Sequence, residues 1–208
     1  MPDFKRDLKQ EEILSRYLDN IYKSKKLKFE RICDINQQLQ GIDIVIHHHK
    51  ETYFIDEKAQ LHYLNKDLPT FTFELSYLNK NNQIKEGWLL DNHKLTQYYF
   101  LITGIFLKAN TKTLSHINDI EKLKIISVNK HKLIKHLARR GVTQHKLQEY
   151  DYDIRKTASF GKNIVAELKE KDQGLLYYTA HLSEKPINLQ LRLDYLIRFR
   201  IAKKIHDA

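Results

Sequence analysis

The chain has 208 residues, enough for one ordinary domain with its own core. Its net charge of +10 and pI near 9.4 favour a polyanionic partner, nucleic acid first and an anionic membrane surface second. Cys33 is the sole cysteine, which excludes an intramolecular disulfide and any Cys-rich zinc module. No apolar run approaches the ~20 residues that span a bilayer. The stretch "MPDFKRDLKQEE" is charged and lacks an apolar core, so no signal peptide is expected. The expected location is a reducing intracellular compartment, the cytoplasm.

In chain order, Ile13, Leu14, Tyr17, Leu18 and Ile21 recur at helical spacing. They predict a helix over 7–26, with acids early and lysines late. The period then changes. Phe29, Ile32, Ile42, Ile44, Ile46, Tyr53 and Ile55 predict three strands, broken at Gly41 and at the His-Lys-Glu stretch. "TFTFELSYLN" is a fourth strand after Pro69, and "NKNNQIKEG" a polar loop. A strongly apolar strand runs over 98–107. "VNKHKLIKHLARRG" is a basic helix beginning near Asn129 and ending at Gly141. "GKNIVAELKEKD" reads equally as strand or helix, and "LQLRLDYLI" alternates like a strand. The order α-β-β-β-β-β-α predicts an α/β fold bordering on α+β: a single domain whose mixed central sheet is flanked by helices.

The chemistry concentrates in "GIDIVIHHHKETYFIDEKAQ". Asp43 and Asp56 stand on two strands joined by a short turn, so a hairpin sets them side by side. Lys58 and Gln60 follow Asp56 at two-residue steps and are expected on its face. Glu57 points to the other face, but its backbone carbonyl is directed to the same region. Two carboxylates and a carbonyl form a hard, oxygen-rich set suited to Mg²⁺ or Mn²⁺. A neighbouring lysine can orient a water or neutralise charge developing on a phosphate. The consecutive histidines His47 to His49 cannot all share a face on a strand and read as a solvated turn. Glu74, Thr96, Gln97 and Tyr98 are candidates for the margins of such a site, with Arg31, Asp34 and Gln37 at the edge of a groove. Trp88 reads as core or as a stacking platform.

"GID" on one strand followed by "DEK" on the next resembles the core of the PD-(D/E)XK nuclease superfamily, the restriction-endonuclease-like fold. The resemblance covers roughly residues 8–107; Ile42 stands where the family pattern carries proline. It implies Asp43 as the first metal-binding acid, Asp56 as the second and Lys58 as the catalytic lysine. Glu11 or Glu12 would be the acid of the preceding helix, with Glu12 preferred on its place beside Ile13. It further implies a nuclease core over 1–110. The basic part, 111–208, either completes the same domain or forms a small appended subdomain. The expected activity is Mg²⁺-dependent hydrolysis of DNA phosphodiester bonds, with RNA open as a substrate, no membrane partner, and a homodimer by analogy with restriction-like enzymes. Lys130, Lys132, Lys135, Arg139 and Arg140 are the expected backbone-gripping residues. Two rivals stand beside this reading. One is the same fold as a non-catalytic nucleic-acid-binding module; the other is an enzyme of another class using Cys33 with a histidine.

Overall fold

A computed structural model of the protein describes residues 4–208. Residues 1–3, part of the charged stretch taken to exclude a signal peptide, lie outside the described residues. No helix among the described residues is long and apolar enough to cross a membrane.

Helix α1 (Phe4–Ser24) opens with Asp7 in its first turn and closes with Lys23 in its last, each charge complementing the helix dipole. Its buried stripe, Leu14, Leu18, Ile21 and Tyr22, keeps the i, i+4, i+7, i+8 spacing of a single face. Strands β1 (Lys28–Arg31), β2 (Ile44–His48) and β3 (Glu51–Ala59) form an antiparallel meander. Between β1 and β2 lies α2 (Ile35–Leu39), a short helix with no buried residue, capped by Asp34, whose side chain accepts from the Gln37 N–H.

Strands β4 (Thr70–Leu78) and β5 (Ile84–Glu86) follow, but neither joins this sheet. The chain returns in β6 (Tyr98–Leu107), which pairs parallel with β3. Next come β7 (Ile120–Asn129), α3 (Lys130–Arg139), α4 (Gln144–Lys156), β8 (Gly161–Asn163) and β9 (Gly174–Tyr178). The chain ends with β10 (Ile187–Arg192), α5 (Leu193–Arg198) and β11 (Ala202–Asp207). One sheet is mixed and six-stranded, in the order β1-β2-β3-β6-β7-β11. The other is antiparallel and five-stranded, in the order β5-β4-β10-β9-β8. The content is mixed α/β, as expected; the meander runs in from one edge of the larger sheet, and its last strand, β3, pairs with β6 at the centre.

The chain divides into two compact units, each drawn from separated stretches: Met1–Leu68, Thr96–Val128 and Lys203–Ala208 form the first, Pro69–Leu95 and Asn129–Ala202 the second. In the first, Leu14, Leu18 and Tyr22 of α1 pack with Ile44, Ile55 and Ile102 of the sheet. In the second, Phe73, Leu75, Leu176, Leu189 and Leu196 are buried. Each such side chain contributes about 1.5–3 kcal/mol of apolar burial.

Several elements depart from the sequence reading: α2 lies in a stretch read for strands, β5 lies in one read as a polar loop, and α4 is not expected from it. "LQLRLDYLI" is not one strand: β10 ends at Arg192, and Leu193, Tyr195 and Leu196 are buried from the short helix α5. The even spacing of Leu189, Leu191 and Leu193 runs straight across that switch, so alternation cannot detect it. β7 went unread because Glu121, Lys122 and Lys124 break up its apolar residues.

Candidate active site

Strand pairing sets the geometry of the candidate site. The pairing of β2 with β3 ends at Ile44 opposite Ile55. Asp43 leaves the ladder there, its N–H donating to the Ile55 carbonyl at 2.9 Å and its carbonyl accepting from the Ile32 N–H on the β1 side, which places it beside the position just before Asp56. Asp43 is the last residue before β2, and its side chain replaces the missing backbone there: Oδ2 accepts the Glu57 N–H at 2.7 Å. Alternate β3 residues bond to opposite neighbours. The Phe54 carbonyl accepts from Gln97 and the Gln60 N–H donates to Ile102, so even-numbered residues turn their peptides toward β6. The N–H and C=O of a strand residue leave by the same edge. The Glu57 carbonyl therefore faces the Asp43 side, as the sequence implied.

Asp56 is only 2% exposed. Its carboxyl lies within hydrogen-bonding reach of Asp43, and Lys58 Nζ stands 2.6 Å from its Oδ1. Burial pushes the Asp56 pKa up to about 7; Lys58 works to lower it and Asp43 to raise it. Two carboxyls held this close need a proton, an ammonium or a metal ion between them. Lys58 already brings an ammonium to Asp56; a hard divalent cation would serve the same charge, with Asp43, Asp56 and the Glu57 carbonyl as the oxygen donors available to it. Among the described residues no group of three or more His, Cys, Asp or Glu side chains is placed to hold a metal.

The Glu57 side chain goes to the opposite face, into a buried ion network. It accepts from Tyr22 at 2.5 Å and from Arg31 at 2.7 Å, and Arg31 also donates to Asp19 at 2.6 and 2.8 Å. Burial raises the Glu57 pKa, with Arg31 opposing it. Burial lowers the Arg31 pKa, but its bonds to Asp19 and Glu57 outweigh that and hold it above the usual value. Tying one β3 residue to both α1 and β1 fixes the strand that carries Asp56 and Lys58.

An open cleft of about 540 Å³ lies against this end of the sheet, lined by Asp43, Glu57, Lys58, Glu11, Glu12 and Cys33 among others. The helical acids separate here. Glu12 pairs with Arg16 one turn along α1, and both are exposed. The Glu11 pKa is raised by burial and by Asp7 and Asp43, with Lys58 lowering it. Glu11 therefore sits in the field of the candidate site, while the preferred Glu12 is engaged on the helix surface. Gln60 also departs from its expected place. β3 ends at Ala59, and Gln60 caps a 3-10 turn over Leu61–Tyr63 with ψ of 54°, so strand alternation does not carry to it.

The remaining candidates are placed elsewhere. His48 and His49 are exposed at the far end of the β2–β3 hairpin, with His49 at φ 54°. Glu74 lies on β4 opposite Asn188, in the other sheet. Thr96 donates to the Gly41 carbonyl and Gln97 Oε1 accepts the Phe54 N–H, so both fasten strands. Asp34 is a helix cap, Arg31 is saturated by carboxylates, and Trp88 packs on Phe73. On α3, Lys132, Lys135 and Arg139 are exposed on one face, and Lys130 is half-buried. Arg140 instead lies over the Tyr195 and Phe199 rings and donates to His136.

No protein-family model, curated protein or solved structure matches this chain.

Proposed function

We propose that the chain is a metal-dependent phosphodiesterase that hydrolyses DNA through Asp43, Asp56 and Lys58. The observation that carries this reading is the cluster of three side chains: the Asp56 carboxyl within reach of Asp43, the Lys58 ammonium 2.6 Å from that buried carboxyl, and Asp43 and Lys58 at the wall of an open cleft. The same residues carry the PD-(D/E)XK resemblance, Asp43 just before the second strand and Asp56 and Lys58 on the third strand of a meander preceded by a helix. Asp43, Asp56 and the Glu57 carbonyl would hold Mg²⁺ or Mn²⁺. Bound there, the ion supplies a Lewis acid for the phosphate and lowers the pKa of a coordinated water.

The chain's own groups have distinct parts. Lys58, oriented by Asp56, offers its ammonium to charge developing on phosphate oxygens. Asp43 holds the Glu57 peptide through its N–H and so keeps the neighbouring carbonyl in place. Glu11 adds a carboxylate at the cleft wall. The exposed lysines and arginine of α3 supply phosphate contacts, so affinity should fall steeply with salt.

One observation favours a second reading. Asp56 is buried and already paired with Lys58, as a purely structural ion pair would be, which suits a non-catalytic nucleic-acid-binding module. Incubating plasmid and branched DNA with Mg²⁺ or Mn²⁺ separates the two. The nuclease reading expects cleavage that Lys58→Ala and Asp56→Asn each reduce by at least about 100-fold, the scale on which one transition-state charge contact acts. Cleavage that survives both substitutions sinks it, and salt-sensitive binding without cleavage leaves the binding module.

A further inference from the structure

We propose that α3, the turn after it and α4 form a helix-turn-helix that docks on duplex DNA, with the first turn of α4 in the major groove and α3 along the phosphates. The inference rests on the nucleic-acid reading of the basic helix and names the form of nucleic acid and the element that reads it.

The turn is fully specified by hydrogen bonds. α3 ends in a paired closure: the Gly141 N–H donates to the Ala138 carbonyl and the Val142 N–H to the Leu137 carbonyl, each at 3.0 Å. Gly141 at φ 87° is the left-handed residue such a closure needs, and Val142 is buried with Leu137 beneath it. The next residue, Thr143, caps α4 by accepting the Lys146 N–H. Two capped helices thus meet across four residues containing a glycine, with Leu133, Leu137, Leu147 and Ile154 turned inward. A connection of that length with a glycine is the one a helix-turn-helix uses.

Charge selects the partner. The second unit holds 18 Lys and Arg against 11 Asp and Glu, a net +7, while the first holds 18 against 15, a net +3. α3 has no acidic residue, and Lys132, Lys135 and Arg139 make no ion pair with the described residues. They stand at i, i+3 and i+7, one exposed stripe on one helix face. In this motif the first helix crosses the phosphate backbone and the start of the second meets base edges. The start of α4 carries Gln144 and the exposed His145, donors and acceptors suited to base edges. The three acids of α4 are accounted for: Glu149 is paired with Lys146 at 3.1 Å and stands 3.5 Å from His145 Nδ1, which must turn from it to meet a base edge; Asp151 is buried and paired with Arg155 at 2.7 Å; and Asp153 lies about 13 Å along the helix from Gln144.

The test uses the full chain, metal-free buffer and a pool of random 20-base-pair duplexes carried through rounds of binding selection. The expected result is an enriched sequence motif. Gln144→Ala/His145→Ala should lower affinity for that motif by about 10-fold or more and bring it to the level of the unselected pool. Lys132→Ser/Lys135→Ser/Arg139→Ser should weaken binding to every duplex and flatten the slope of log affinity against log salt by about three. These side chains are on the surface, so unchanged thermal transitions verify folding, and Gly141→Ala provides a second probe within the turn. No enriched motif, an unchanged salt slope in the triple variant, or preference for single-stranded RNA of the same length would overturn the inference. Binding is read without metal, so failure of hydrolysis leaves this result standing, and failure here leaves cleavage to be judged by Lys58→Ala.

Discussion

Asp56 governs the chemistry at the scale of single residues. Burial holds its carboxyl pKa up at about 7 in the folded chain, against the opposing pull of Lys58, whereas unfolded it ionises near the ordinary aspartate value of 3.8. Between those values the folded state binds the extra proton, so stability of the metal-free protein falls as pH rises from about 4 through about 7. Urea denaturation across that range should show the decline, and Asp56→Asn should reduce it, the raised Glu57 and Glu11 carboxyls keeping the remainder; an unchanged slope in the variant would place the titration elsewhere. Arg31 makes the complementary case on the other face of β3. Removing its guanidinium leaves Glu57 and Asp19 facing each other unneutralised, and Arg31→Met should cost about 3 kcal/mol in the same experiment. Asp43 stands just outside the ladder, where alternation does not place it, but that Asp56 and Lys58 share one strand and one face was legible in the sequence from the two-residue period. The Arg31–Glu57–Tyr22 network was not, because it joins residues from α1, β1 and β3 that share no spacing. The choice between Glu11 and Glu12 needed the helix rotation, which adjacent positions in the sequence do not supply.

At the scale of elements, legibility follows the strength of the pattern. α1 and β6 announce themselves, one by a four-residue apolar stripe and the other by ten nearly continuous buried positions. α2 and β5 do not, since none of their residues is buried and burial is what writes a pattern into sequence. Gln60 shows the cost of extending alternation one residue past a strand end. The basic helix was found whole because Asn129 caps it, accepting the Lys132 N–H, and Gly141 closes it. Its connection to α4 yields a direct prediction. Gly141→Ala forces a side chain into a left-handed backbone and toward the Glu167 side chain at 3.3 Å, so it should cost about 1 kcal/mol in thermal denaturation. Gly161 has a similar φ of 88° but nothing within 4 Å of an added Cβ, so the same substitution there isolates the backbone term.

For the whole molecule, the informative feature is how the chain is shared. The meander of the first unit is interrupted after β3, the chain builds β4 and β5 of the second, and β6 returns to pair with β3. Such interleaving leaves no composition break, linker or repeat, so the sequence reads as continuous. Charge does follow the division, with the second unit carrying the larger share of the net positive charge. The account's central claim is that Asp43 and Asp56 form a metal-ion site. Crystals soaked in Mn²⁺ test it most directly, by an anomalous difference map. The account predicts one peak between the two carboxyls, bounded by the Glu57 carbonyl and absent in Asp56→Asn. A map without a peak there, from crystals that bind Mn²⁺ elsewhere or not at all, would contradict it.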